Sequence, residues 1–253
     1  MSMRAMILAA GLGTRLRPLT VSRPKALVEI NGRTLLELAL ARLRSFGISE
    51  VIINVHHFAD MLAEYLKKNN HFGMHIEISR EDVLLDTGGG LKNVGWFFKC
   101  PSQHSGKEEP FILHNVDVLS TIDLGAMRQV HIENQALVTL AVQDRETSRY
   151  LLFDEAGQLC GRRAGRNQPP ELVSPAQQPQ AWAFSGIHII SPRLLAMITE
   201  EGAFSIITTY LRLAAQGEKI LAFDANKYYW RDLGSPKNLA EAAEDLQNGV
   251  IAQ

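Results

Sequence analysis

Residues 5–25 read AMILAAGLGTRLRPLTVSRPK, and this stretch decides the fold. Ala5–Ala9 is a short continuous apolar run, and Met6–Ala10 reads as a strand covered on both faces. Such a strand belongs to a sheet with helices on either side, where ligands bind beyond the carboxyl ends of the strands. The segment Gly11–Lys25 lies at that end. Gly11 and Gly13 let backbone N–H groups approach phosphate oxygens with no Cβ in the way. Arg15 adds a planar fork of donors and Lys25 a flexible point charge. The glycines alone would serve a tight turn equally well; the cations suit the loop to polyphosphate. It is not the dinucleotide fingerprint, because Leu16 stands where the third glycine belongs, and no Gly-Lys-Ser/Thr follows to make a Walker A loop.

Working outward, helical and strand patterns alternate. Thr34–Phe46 repeats apolar residues at helical spacing through Leu35, Leu36, Ala39, Leu40 and Leu43, with Gly47 as a stop. Val51–Val55 predicts a strand, Ala59–Lys68 a helix, His75–Ser79 and Phe111–His114 strands, Leu124–Glu133 a helix and Ala136–Val142 a strand. That order predicts a parallel, βαβ-type first half. Arg163–Pro179 is rich in Pro, Gln and Arg and reads as an exposed loop. Ala181–Ile190 predicts a strand, Pro192 the start of a helix, Phe204–Ala215 a helix, and Lys219–Phe223 and Tyr228–Leu233 strands. Ser235 as N-cap and Pro236 at the first position begin a closing helix, Lys237–Leu246.

Composition narrows the class. With 253 residues, 46% hydrophobic and 21% charged, the chain can bury a large core and is not disordered. A formal net charge of −1 supplies no broad basic field, so no nucleic-acid partner is expected. Cys100 and Cys160 lack CxxC spacing, which argues against a zinc site or a disulfide framework and for a cytoplasmic setting. Glycine and arginine interrupt the N-terminal apolar run too soon for a signal peptide or a membrane span.

Two further features point to a site. Asp86-Thr87-Gly88-Gly89-Gly90 places three glycines together, each costing about 0.5–1 kcal/mol relative to alanine in regular structure, so something must approach this backbone closely. Asp117 lies just past the strand Phe111–His114, where a carboxylate faces the ligand crevice; an ordinary solvated aspartate is the plain alternative. His114 beside it suits a hard cation poorly and reads as structural. Asn54, His56 and His57 end a strand, where adjacent side chains such as the two histidines point to opposite faces, so a shared metal is not expected and all three are candidates for crevice lining.

Taken whole, GLGTRLRPLTVSRPK resembles the G-x-G-T-R…P-K signature of the nucleoside-diphosphate-sugar pyrophosphorylases, the sugar-1-phosphate nucleotidylyltransferases. LLDTGGGLKN (84–93), HNVDVL (114–119), FSGIHIISP (184–192) and WRDLGSP (230–236) resemble later motifs of that family in the same order. The short bacterial N-acetylmuramate-1-phosphate uridylyltransferases and mannose- or heptose-1-phosphate guanylyltransferases are the most similar members in appearance. The resemblance implies an α/β fold with a Rossmann-like, mixed, mostly parallel sheet flanked by helices, the GT-A-like nucleotidyltransferase fold. It implies one domain over 1–253, with 1–145 mainly binding nucleotide and 146–253 mainly sugar phosphate. It further implies a reaction of a nucleoside triphosphate with a sugar 1-phosphate to give a nucleoside-diphosphate sugar and pyrophosphate.

By the same resemblance, Ala10, Gly11, Gly13, Thr14, Arg15, Thr87, Gly88 and Gly89 bind nucleotide. Asn115, Ser185 and Gly186 meet the sugar phosphate, and Arg15, Lys25, Asp117 and Asp232 are catalytic. Asp117 and Asp232 hold Mg²⁺, which normally takes one or two carboxylates and shares substrate phosphates. Val116 departs from the glycine many members carry there. Two carboxylates meeting without a cation would repel, so removing one charge is expected to leave apo stability equal or higher. Exposed loop cations such as Arg15 and Lys25 are expected to add little stability. The rivals are an NAD-dependent oxidoreductase, which leaves Arg15, Lys25 and Asp232 unexplained, and a non-catalytic nucleotide-sugar-binding regulator, which would not need both carboxylates.

Overall fold

The computed structural model describes residues 3–99 and 109–251, so Cys100 lies outside the described residues. The chain begins with β1 (Arg4–Leu8), β2 (Glu29–Ile30), β3 (Arg33–Thr34), α1 (Leu35–Ser45), β4 (Glu50–Val55), α2 (Ala59–Lys68) and β5 (His75–Arg80). It continues through α3 (Asp86–Asn93), α4 (Gly95–Lys99), β6 (Phe111–Asn115), β7 (Val118–Ser120), α5 (Leu124–Glu133) and β8 (Val138–Gln143). Next come β9 (Tyr150–Phe153), β10 (Leu159–Arg163), β11 (Glu171–Leu172), β12 (Gln180–Ile190) and α6 (Leu194–Met197). The last elements are α7 (Ile206–Ala215), β13 (Ile220–Asp224), β14 (Trp230–Asp232) and α8 (Pro236–Gln247). Among the described residues no helix is long and apolar enough to cross a membrane.

The main sheet runs β11-β10-β9-β12-β6-β1-β4-β5, with β8 beside β12 and β13 beside β8. The expected α/β sheet, mixed and flanked by helices, is present. Its β6-β1-β4-β5 part is parallel. β12 enters antiparallel to β6, β8 and β9. In β1, Ala5 and Ile7 enter one core and Met6 the other, so both faces are covered and no polar alternation is possible. Helix α1 starts on the Thr34 side chain, which accepts from Glu37 N, and buries the whole expected stripe. A third cluster joins Leu16 to Leu35, Leu119, Leu233 and Leu239. The leucine at the third-glycine position thus anchors the loop beneath α8.

Several expectations change. Tyr150–Phe153 and Leu159–Arg163 form an antiparallel hairpin that the sequence pattern did not suggest, because all four residues of β9 are buried. The Arg163–Pro179 segment is largely exposed, but Glu171–Leu172 within it adds a short strand to β10. The helix after Pro192 is only Leu194–Met197. The strand expected over Tyr228–Leu233 is Trp230–Asp232, and it pairs with β7 apart from the main sheet.

The glycine run sits inside α3, and what approaches its backbone is the chain itself. Gly88 N donates to Phe204 O at 2.8 Å. A Cβ at Gly88 would overlap the Phe204 ring, and one at Gly89 the Gly202 carbonyl. Gly88→Ala is therefore expected to destabilise by about 1–3 kcal/mol, as overpacking does. A thermal melt should fall by several degrees; an unchanged midpoint would defeat this packing account.

His114, His131 and His188 are all buried. Desolvation lowers His114 and His131 to about 4 and His188 to about 3. Their pKa values lie below the unfolded value near 6.5, so the unfolded chain binds more protons as the pH falls. The stability they allow is complete above pH 6.5 and is lost as the pH drops toward the folded values, by up to about 1.4 kcal/mol per pH unit for each. The urea midpoint should fall between pH 6.5 and 5; a flat profile would contradict neutral burial.

Candidate active site

The end of β1 is fixed by a buried polar chain. Ala9 N donates to Asn54 Oδ1 at 2.9 Å, and Asn54 Nδ2 donates to Glu81 Oε1 at 2.7 Å. Glu81 Oε2 accepts from Leu85 N at 3.1 Å, tying the first strand to the start of α3. Sequence reasoning missed this network; the polar Asn54 inside an apolar strand was its only signal. Beyond β1, Gly13 has φ 61, and a Cβ there would lie 2.9 Å from Thr20 Cγ2. The chain accordingly turns back, with Thr20 Oγ1 donating to Gly13 O at 2.8 Å. Gly11 has open space where a Cβ would be, as a phosphate cradle requires.

Two cavities open on this end of the sheet. The first, about 440 Å³, is lined by Ala9, Ala10, Gly11 and Leu12. Arg17, Arg23 and Lys25 also line it, as do His57 and Phe58. The second, about 670 Å³, takes in Arg15, Asn115, Asp117, Gly186, Trp230 and Asp232. Thr14 is exposed and opens the short helical turn Thr14–Leu16 that follows Gly13.

Strand pairing brings the two distant aspartates side by side along the backbone, and both line the second cavity. β14 pairs with β7 so that Asp232 faces Val118, and Leu233 N donates to Asp117 O at 2.8 Å. Neither carboxylate is left to repel the other, which corrects the expectation of a strained apo pair. Lys25 Nζ is ion-paired with Asp117, their side chains only 12% and 17% exposed. Arg15 lies 3.5 Å from Asp232, with side chains 64% and 33% exposed. Asp232 also accepts from Gly234 N at 2.5 Å. The Lys25 pair is thus a half-buried structural contact and not a loose loop cation. The two carboxylates suit a hard cation that completes its shell with water and substrate phosphate. Among the described residues no group of three or more His, Cys, Asp or Glu could hold a metal.

Gly186 has φ 74 and backs onto Asn115, whose Nδ2 would lie 2.9 Å from an added Cβ. Ser185 lines neither cavity: its side chain is fully buried, and its carbonyl accepts from Trp230 Nε1 at 2.7 Å. The bulge at this point of β12 turns it inward. Thr87, Gly88 and Gly89 line neither cavity; Thr87 Oγ1 instead accepts from Ile206 N at 3.0 Å. His56 and His57 follow the end of β4, and their rings are 4.3 Å apart rather than on opposite faces. His56 Nδ1 meets Glu81 O at 2.7 Å, leaving His57 to line the first cavity.

Arg145 was also missed. Its guanidinium lies 3.6 Å above the Trp230 ring, and Nη2 donates to Phe184 O at 2.7 Å. Burial pulls its pKa down, with Asp232 opposing. Its signal was the arginine-rich run DRETSRY (144–150) directly after a strand.

A mixed α/β sheet with a glycine and arginine loop beyond its first strand, with Lys25 and Arg15 each set against an aspartate, fits a nucleotide-transferring α/β class. The chain belongs to the nucleotidyl transferase family, whose model matches residues 4–249. It is 31% identical over 240 residues to the N-acetylmuramate alpha-1-phosphate uridylyltransferase of Caulobacter vibrioides, covering 92% of each. It is 28% identical over 250 residues to a mannose-1-phosphate guanylyltransferase of Mycobacterium tuberculosis, covering 97% of this chain and 65% of that one. A beta catalytic subunit of the same enzyme type from Drosophila pseudoobscura is 32% identical over 239 residues, with 93% and 60% covered. The chain thus spans under two thirds of these two guanylyltransferases. Among solved structures, UDP-glucose pyrophosphorylase complexed with UDP-glucose shares the fold at TM-score 0.76 and 19% identity, covering 98% and 99%. HddC from Yersinia pseudotuberculosis complexed with GMP-PN does so at 0.73 and 22%, covering 96% and 99%.

Proposed function

We propose that this protein is a sugar-1-phosphate nucleotidylyltransferase that joins a nucleoside triphosphate to a sugar 1-phosphate and releases pyrophosphate. The observation that carries the reading is the Lys25–Asp117 ion pair, which joins the wall of the first cavity to that of the second. The first cavity suits the triphosphate, on the backbone of Ala10 and Gly11, with Gly13 and Thr14 shaping the turn that follows. Thr87, Gly88 and Gly89 support it from α3, through the position of that helix. The second suits the sugar phosphate, beside Asn115 and Gly186, with Ser185 holding Trp230. Residues 1–145 then serve mainly nucleotide and 146–253 mainly sugar phosphate, within one domain.

The sugar-phosphate oxygen is already ionised and attacks the α-phosphorus in line, so no general base is needed. Arg15 holds the departing pyrophosphate, and Lys25 exchanges Asp117 for the reacting phosphates, offsetting charge that grows during transfer. Asp117 and Asp232 would hold magnesium, which supplies electrophilic and templating chemistry to phosphate when bound. The unpaired, buried Cys160 accords with a reducing cytoplasmic compartment.

The test is pyrophosphate release in a matrix of UTP and GTP against sugar 1-phosphates with and without magnesium. Release that demands both substrates and the metal is expected, and NAD should show no binding. Tight NAD binding without triphosphate binding would overturn the reading.

A further inference from the structure

β12 has a gap in its hydrogen-bonded ladders beside the second cavity. Its pairing with β9 ends at Ala183, its pairing with β6 begins at Ile187, and its pairing with β8 jumps from Phe184 to His188. Ser185 and Gly186 therefore have no strand partner on any of the three. Two side chains bridge the start of this gap. Trp230 Nε1 donates to Ser185 O and Arg145 Nη2 to Phe184 O, each at 2.7 Å. The same guanidinium lies on the Trp230 ring, Cζ 3.6 Å from its centre. Donors from the end of β8 and from β14 thus hold adjacent carbonyls of β12 as one stacked unit.

This unit sits where it can set Asp232. β14 is three residues long and pairs with β7 alone among the described residues, whereas β12 is held by three strands. Residues two apart on a strand share a face, so Trp230 and Asp232 project to the same side of β14. Asn238 Nδ2, donating to Asp232 O at 2.7 Å, fixes the far end of the ribbon; Trp230 is the β14 side chain that hydrogen-bonds to the main sheet. Packing alone does not call for an arginine over it. Arg145 Nε is buried without an acceptor, and the side chain has no ion pair among the described residues. Such a cation costs free energy that an apolar side chain over the indole would not. What the guanidinium adds is a planar fork that stacks and donates at once, fixing Trp230 in one orientation.

We infer that Arg145, acting through Trp230, is a positioning residue for Asp232: the stacked pair locks β14 against the gap in β12 and holds the carboxylate at its place in the second cavity. The inference rests on the function proposed above. Arg145 then acts on the carboxylate and not on the substrates, so its loss lowers kcat and metal affinity and leaves both KM values in place. A misplacement of about 1 Å in such a site costs about 10²-fold in rate.

The test uses the full chain, with kcat and both KM values from pyrophosphate release and the magnesium Kd from calorimetry with and without triphosphate. Arg145→Lys keeps the charge but not the planar fork, and Trp230→Phe keeps an aromatic ring but not the indole donor. Arg145→Lys should lower kcat about 10²-fold and Trp230→Phe about 10-fold, each with weaker magnesium binding and KM values within about 3-fold of wild type. In the Asp232→Asn background, Arg145→Lys should cost nothing further, because its effect runs through that carboxylate. A raised sugar-phosphate KM with an unchanged magnesium Kd makes Arg145 a substrate ligand and overturns the inference. So does a lowered melting temperature with wild-type kcat and magnesium Kd, which is packing alone, and so does a full further loss in the Asp232→Asn background. Should Arg145→Lys fail to fold, Trp230→Phe carries the same measurements. A wild type that releases no pyrophosphate overturns the proposed function; the positioning role then stands or falls on the magnesium Kd of the variants against wild type.

Discussion

Asp117→Asn is expected to lower magnesium-dependent turnover at least about 1000-fold, the equivalent of roughly 4 kcal/mol of transition-state stabilisation. Unlike a simple relief of repulsion, it should also destabilise the apo protein. Asp117 is the ionic partner of Lys25, and both side chains are mostly removed from water. Replacing the carboxylate leaves a partly buried ammonium with only an amide oxygen, a loss of about 1–3 kcal/mol. For a chain of this size that is several degrees of melting temperature. Asp232→Asn should reduce turnover similarly but shift the melt less. Its side chain is a third exposed, its contact with Arg15 is long, and solvent screens such a pair. Pyrophosphate release and thermal melts on both variants separate the two effects. An Asp117→Asn protein melting at or above wild type would show that repulsion governs the apo site.

Local signals were legible in the sequence, and signals made by distant pairing were not. β1 and its loop could be read because a continuous apolar run, two glycines and two cations occupy one short stretch. Helix α1 could be read because Thr34 caps it and its buried stripe has the helical period. The β9–β10 hairpin could not, since Tyr150–Phe153 is buried throughout and shows no alternation; only the turn at Gly157, φ 73, marked it. The burial of the Ser185 side chain was not legible, because the register shift in β12 between Phe184 and His188 arises from pairing with a strand distant in sequence. The glycines of α3 correctly signalled a close approach, but their neighbour, Phe204, is brought in by tertiary packing. The Lys25–Asp117 pair spans 92 residues and exists because β1 and β6 are adjacent strands.

That pair makes Lys25→Ala the sharper test of how charge is divided in the site. Lys25 begins a short turn after Pro24 and reaches Asp117 from the first cavity, so under the proposed function it stands where triphosphate and sugar phosphate would approach each other. Removing one preorganised cation from such a position costs about 10²–10³ in kcat, or roughly 2.7–4 kcal/mol. Arg15→Ala should also slow turnover, but with little effect on stability, because its side chain is 64% exposed. Lys25→Ala leaves Asp117 partly buried without its partner, so its melting temperature should fall where that of Arg15→Ala does not. Magnesium supplied without substrate should restore much of the lost stability in Lys25→Ala, because the ion takes up the freed carboxylate, and should restore less in wild type, where Lys25 competes for it. Titration of melting temperature against magnesium for the two variants and wild type reads this directly. Near-normal kcat in a folded Lys25→Ala protein would remove Lys25 from the reaction. Equal magnesium responses in all three proteins would separate Asp117 from the metal.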